Sequence, residues 1–581
     1  MIQKHYDVVV AGAGLAGLTL CRQLRLAGKE RILLLDNRAD LPGKTQKVGE
    51  SLLQVAGYYL GKVLDLEEYL LREHYLKYNL RFHWKTAGKA NENYEDYSQA
   101  YILPVSNIAS YQLDRNKLEA HLLELLRADP HATVCAPARN LRIQLSESGN
   151  HLVSFVWNDE VHDIEATWVV DTTGRGQFLK RKQSLGLPSP IRHGSSWCWV
   201  DGLVNIDKLT DLSPQQVRLR PERQTIGMFP IWLGTNHFCG EGFWFWVIPL
   251  QGLTSLGLVY DRELFDGERV STPEKLIEWA CHEFPLFRRD LPQRKILDGA
   301  RLPEYAYDCQ QTLSPQRWAL SGMAGRFSDP LYSPGSDLIA YYNTLIVDAI
   351  LEKNPEEFRR KCTLYEQLMR SLYGAYVPSY AVSYNALGDQ EVMTLKYGWE
   401  LAIYFVFYVL PFINDLFTNT EFLGVFFRKF AMLGPVNHNL QKFLADYFRW
   451  KKDQPPSRTR IFNDFEELRP LAHAKTVFFD VGISLERAEL LLADHSERLR
   501  EFARYILAYV SSVVLRDERV LYNASFISSI RLRDFTFDPP AIEQRYAPHR
   551  NSSAQHTWSF DSRVLEKFRQ AHALELQATS D

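Results

Sequence analysis

Near the start of the chain, Gly12-Ala13-Gly14-Leu15-Ala16-Gly17 limits what this sequence can fold into more than any other feature. It follows an apolar, β-branched run at 6–11 and opens a stretch, 15–26, whose apolar residues recur at helical spacing. In such a strand–turn–helix unit Gly12 permits the tight turn. Gly14 lets the backbone approach a pyrophosphate, and Gly17 lets helix and strand pack closely. The helix N-terminus then offers N–H groups and the positive end of its dipole to phosphate. A second apolar run, 32–35, ends at Asp36, 24 residues beyond Gly12, where a carboxylate meets a ribose hydroxyl. The pattern predicts a Rossmann-like α/β unit that binds a dinucleotide.

FAD is the dinucleotide expected. No second copy of the glycine pattern follows another apolar strand. Asp114-Arg115 begins a helical pattern over 113–127 and can bring the Arg115 guanidinium to the cofactor's chain. Asp171-Thr172-Thr173-Gly174, at the end of a short apolar run, resembles the D-[AT]-[ST]-G segment of FAD-dependent monooxygenases.

The remainder of the chain divides by texture. Short aromatic runs at 196–203, 224–232, 237–250 and 255–260 alternate with turns, the pattern of an antiparallel sheet. A strand is expected at 317–321 and a helix at 338–351. After Pro355 the sequence reads as helical, broken at 451–458 by KKDQPPSR and restarted at Ser484. The expected organisation is a FAD-binding domain at 1–190 and 295–352, an inserted antiparallel-sheet substrate domain at 191–294, and a mostly helical region at 353–581.

The 581 residues carry 67 Lys+Arg against 70 Asp+Glu, a net charge of -3, which argues against nucleic acid as a partner. The seven cysteines are scattered without a C-x-x-C pair, so no zinc site, no other metal site and no disulfide framework is expected. Reduced thiols and the lack of a signal-peptide pattern point to the cytoplasm. The most apolar stretch, 401–413, is shorter than the roughly 20 residues a bilayer needs and contains Pro411. It reads as a buried or interface helix.

Further motifs carry a resemblance. Val48-Gly49-Glu50-Ser51-Leu52-Leu53, Trp244-Phe245-Trp246-Val247-Ile248-Pro249 and Asp329-Pro330-Leu331-Tyr332-Ser333-Pro334-Gly335 resemble, in order, the V-G-E-S-L-L, W-x-W-x-I-P and D-P-x-x-S-x-G segments of flavin-dependent halogenases. The likeness is strongest to the branch acting on phenols and pyrroles. Lys77, in Lys77-Tyr78-Asn79-Leu80-Arg81-Phe82, is similar to the lysine of that family's K-x-x-[IL]-[KR]-F segment. The resemblance implies reduced FAD from a separate flavin reductase, with O2 and halide giving hypohalous acid. The acid passes the paired tryptophans, Trp244 and Trp246, to Lys77. There it meets an electron-rich aromatic substrate, free or tethered to a carrier protein. Lys47, Gly49, Glu50, Ser51, Asp329 and Pro330 would adjoin the cofactor, beside Gly12, Gly14, Gly17, Asp36, Arg115, Asp171 and Gly174. Ser333, Pro334 and Gly335 would form the flavin/halide loop.

The sequence departs from this pattern in places. Pro334 has no N–H where the family supplies a halide donor. Tyr332 stands where the tryptophan-directed branch keeps a glutamate. Gly322-Met323-Ala324-Gly325 lies where related monooxygenases carry a G-D pair, and Gln54 replaces a proline. Pro334 leaves a non-halogenating monooxygenase or oxidase open. A flavin-binding partner in a biosynthetic assembly, docking through the aromatic run 404–408, is the third class of function.

Overall fold

A computed structural model describes residues 2–78, 80–102, 106–220, 230–561 and 563–578. The first strand, His5–Ala11, lies inside a sheet with parallel neighbours on both sides, Ile32–Leu35 and Glu160–Asp171. Buried on both faces, such strands are apolar throughout, which is why they read as unbroken runs. Ala132–Cys135 and Trp318–Leu320 extend the parallel order outward. The helix Leu15–Leu26 follows the glycine turn, and Arg115–Ala128 packs beside it.

A second sheet has the order Ile296–Leu302, His193–Asp201, Leu253–Asp261, Phe243–Leu250, Thr235–Gly240, Leu80–Lys85, Tyr97–Tyr101 and Phe462–Asp464. It is antiparallel through its first five strands, then joins Leu80–Lys85 to Thr235–Gly240 and Phe462–Asp464 to Tyr97–Tyr101 in parallel. The sheet therefore recruits strands from well outside 191–294. Phe462–Asp464 arrives from the C-terminal part, so the expected boundaries cut across one continuous sheet. The run at 237–250 is two strands, separated by a turn in which Gly242 takes a φ of +71°. Of the run at 224–232, residues up to 229 lie outside the described residues, and Ile231–Leu233 forms a single 3₁₀ turn.

Beyond Pro355 four long helices, Pro355–Ala381, Gln390–Tyr404, Thr420–Lys452 and Leu485–Leu515, pack against one another, with Gln390–Tyr404 against the sheet strand Tyr97–Tyr101. Each starts at a side chain that accepts from the first free N–H groups: Asn354, Asp389, Asn419 and Ser484. The apolar stretch 401–413 is interior. It continues Gln390–Tyr404 through one π-helical turn, Phe405–Val409, in which the Leu410 N–H reaches back to the Phe405 carbonyl. Pro411 follows at once, and its missing N–H is one reason regular hydrogen bonding fails there. The aromatic run 404–408 is buried in the core, so it is not the exposed docking surface one sequence reading required. Among the described residues no helix is long and apolar enough to cross a membrane.

Candidate functional site

The three fingerprint glycines do different things. Gly12 takes a φ of +112°, and a Cβ there would meet the Thr172 carbonyl oxygen at 2.5 Å. A Cβ on Gly17 would lie 2.0 Å from the Gly12 carbonyl oxygen. At Gly14 nothing lies within 4 Å, and the residue borders a cavity of about 390 Å³ between the two sheets. Open space over the second glycine and backbone crowding at the other two is the cradle that a pyrophosphate needs.

The same cavity is bordered by Lys47 to Ser51, Arg115, Thr172, Gly174, Trp244, Trp246, Pro330, Ser333 and Gly335. Arg115 donates to the Val48 carbonyl at 2.9 Å and to Glu119, one turn on, which also takes Lys47 at 2.5 Å. The two cations hold the buried Glu119 carboxyl below its usual range despite desolvation. Glu50 is buried deeper. Its carboxylate accepts from Trp199 Nε1 at 2.5 Å and Ser255 Oγ at 2.6 Å, and Ser255 in turn accepts from Trp246 Nε1 at 3.1 Å. Burial pushes the Glu50 carboxyl up to about 7, against those hydrogen bonds.

Trp244 and Trp246 share one face of Phe243–Leu250, their ring centroids 5.6 Å apart. Trp244 Nε1 donates to Tyr384 Oη at 2.6 Å, and Tyr384 reaches Asp329 at 3.2 Å. Asp329 also takes Tyr305 at 2.7 Å, His193 at 2.6 Å and the Leu331 N–H at 2.8 Å. This fully buried carboxylate fastens the loop to a sheet strand and to the indole. Asp36 and Asp171 likewise direct their oxygens at the protein. Asp36 accepts from the Ala13 N–H and from Arg38, while Asp171 accepts from Thr173 and the Leu179 N–H. All three acids shape the turns around the cavity.

The loop carries strain. Tyr332 and Ser333 have φ of +66° and +65°, left-handed values that cost a non-glycine residue energy. Ser333 precedes the helix Pro334–Leu351, and Pro334 takes its first position, where a missing N–H has no intrahelical acceptor to disappoint. The N–H groups of Gly335 and Ser336 have no carbonyl four residues back inside the helix, and both residues front the cavity. With the donor at 334 lost, the pair of free N–H groups moves along by one residue, to Gly335 and Ser336.

Lys77 is buried and donates to the Leu52 carbonyl at 2.7 Å. Burial brings its ammonium down to about 7, opposed by the nearby charge of Asp337. Asp337 accepts from the Ala56 N–H at 2.8 Å and Tyr404 Oη at 2.7 Å, and burial raises its carboxyl to about 7. An amine and an acid that both exchange protons near neutrality are thus placed together. Sequence reasoning missed Asp337, Glu119, His237 and Tyr384. Only Glu119 left a trace, its i, i+4 spacing from Arg115. His237, bordering the cavity beside Lys77, is held neutral by burial, its imidazole brought down to about 3.

No family model matches the chain. The flavin-dependent halogenase chlA of Dictyostelium discoideum is 25% identical over 480 residues, 75% of this chain and 77% of that protein. The 1H-pyrrole-2-carbonyl-[peptidyl-carrier protein] chlorinase of Pseudomonas fluorescens is 24% identical over 390 residues, 64% of this chain and 82% of that protein. Among solved structures, halogenase PltM in complex with phloroglucinol and FAD superposes with a TM-score of 0.60 at 17% identity, covering 85% of this chain and 96% of that one. The motif resemblance thus extends over about two thirds to three quarters of the chain in sequence, and to the fold.

Proposed function

We propose that this relative of the flavin-dependent halogenases is a FAD-dependent oxidoreductase that halogenates an electron-rich aromatic ring, using reduced FAD, O2 and halide. The observation that carries the reading is a cavity bordered by the glycine turn at Gly14 and walled by Trp244 and Trp246, with a buried lysine of lowered pKa nearby. The glycine turn, the backbone of 47–51, Arg115 and Thr172–Gly174 would hold FAD. Bound and reduced, it would supply the two electrons with which O2 oxidises halide to hypohalous acid, the second oxygen atom leaving as water.

The chain's own residues then act as follows. The Gly335 and Ser336 N–H groups, at the positive end of a helix, hold the halide. The tryptophans screen the cofactor from the ring to be modified. Glu50 stores or returns a proton at the cavity wall. Lys77 hydrogen-bonds the hypohalous acid and aims its halogen at a ring carbon, and Asp337 holds the proton the amine exchanges. The pyrrole chlorinase acts on a carrier-bound ring and PltM holds a free one, so both substrate forms suit this reading. A flavin reductase is the transient partner, and the cytoplasm is the compartment where the two would meet.

The test incubates the full chain with FAD, a flavin reductase, O2, bromide and an electron-rich phenol, and weighs the product. A bromine isotope doublet that depends on the reductase is expected. Gain of one oxygen without dependence on bromide overturns the halogenase reading.

A further inference from the structure

Behind the loop at 330–335, on the side away from the fingerprint cavity, lies a second cavity of about 260 Å³ among the C-terminal helices. An apolar cavity of roughly 150 Å³ already takes benzene. The helices around it are interrupted where they border it. Pro378, in the wall itself, offers no N–H to the Gly374 carbonyl, and Pro435 offers none to Ala431. The π-helical turn at Phe405–Val409 brings Tyr404 and Tyr408 to the same space.

The lining is apolar and aromatic around one carboxylate, Glu400. Its side chain is only 10% exposed. Oε1 accepts from Lys396 and, at 2.9 Å, from Gln441. Oε2 has no donor within hydrogen-bond distance among the described residues, although the Tyr332 hydroxyl, its pKa raised by burial and then by the Glu400 carboxylate, lies near it. The Tyr376 hydroxyl in the same wall has no partner among the described residues either. A buried acceptor left without a donor is costly, so such an atom fits a donor that arrives with a ligand. The cavity also adjoins Lys77. Leu53 lines it next to the Leu52 carbonyl that Lys77 bonds, and Tyr404 lines it while donating to Asp337.

Resting on the halogenase reading above, we propose that this cavity receives the ring to be halogenated and that Glu400 selects it, Oε2 accepting the O–H of a single hydroxylated ring. Lys396 neutralises the carboxylate from the opposite side and fixes which oxygen faces the substrate. The pocket admits a phenol and rejects the methyl ether of the same ring, although both are electron-rich.

Calorimetry on the FAD-loaded full chain tests this without turnover, so the outcome is separate from whether the chain halogenates anything. The probes are resorcinol and 1,3-dimethoxybenzene. The native chain binds resorcinol at least tenfold more tightly. In Glu400→Gln the two donors that hold Oε1 keep the amide oxygen on their side, which turns the NH2 into the cavity. The preference then falls to parity or reverses. Gly434→Leu, at a lining position where a Cβ meets open space, fills the cavity and abolishes resorcinol binding with FAD affinity unchanged. Equal binding of the two probes by the native chain, an unchanged preference in Glu400→Gln, or full binding in Gly434→Leu overturns the proposal.

Discussion

An amine that releases its proton near pH 7 behaves unlike a surface lysine, and Lys77 owes this to burial. Lys77→Met keeps the volume and removes the nitrogen. It is expected to lower halogenated product by about a hundredfold or more, the scale of a lost positioned acid–base group, with FAD affinity unchanged by flavin fluorescence. Glu50 makes a second prediction, about stability. Its folded pKa of about 7 lies above the ordinary carboxylate value, so its contribution is fully present at pH 4 and lost as pH rises through 7. Glu50→Gln lacks that loss. Urea unfolding at pH 4.5 and pH 8 is expected to show the variant gaining about 3 kcal/mol on the native chain between the two. A gap that does not change with pH removes the buried-carboxyl account. At this scale the sequence was legible only where a motif named the residue. Lys77, Trp244 and Trp246 stood in recognisable segments. Asp337 and Glu400 did not, because only tertiary packing makes one helix acid buried and another exposed.

At the scale of elements, the glycine turn separates two kinds of damage. Gly14→Val projects into the cavity and is expected to abolish FAD binding while the melting temperature of the apoprotein stays within about 2 °C. Gly17→Val drives a side chain into the Gly12 carbonyl and unfolds the unit. Melting both apoproteins checks the pair. In the loop, Pro334→Ser restores an N–H at the first helical position. The expected outcome is roughly a tenfold gain in apparent bromide affinity, read from the dependence of product on bromide. No gain means that Gly335 and Ser336 already complete the site. The first strands and helix were legible to within one residue, because burial on both faces or at helical spacing writes itself into consecutive letters. The second sheet was legible only in part. Phe462–Asp464 is too short to stand out from a polar loop, and its partner lies more than 350 residues away in sequence.

The whole molecule is tied together across those boundaries. Gln390, at the start of a C-terminal helix, donates to the Gln99 carbonyl in the sheet and to Asn463. One apolar core runs from Val8 to Ala571. Glu391 sits within it, accepting from Lys451 and His572 and from the hydroxyls of Tyr447 and Tyr509. Glu391→Ala leaves Lys451 with Asp389 alone and takes the acceptor from His572, Tyr447 and Tyr509, and is expected to cost on the order of 3 kcal/mol. Circular dichroism of the helices and fluorescence of the sheet tryptophans should then shift together in one denaturant titration. Separate shifts would mean that the helical region unfolds alone.

The loop at 330–335 has its residues dealt alternately to two rooms. Pro330, Ser333 and Gly335 face the fingerprint cavity, and Tyr332 and Pro334 face the one behind it. A partition one residue thick makes the two compartments hard to alter independently. Pro334, which in the sequence looks like a missing halide donor, is in the structure part of the wall of the other chamber. Whatever selects the ring and whatever holds the halide are therefore edited by the same few codons. A change of substrate written into this loop arrives with a change in the oxidant that reaches it.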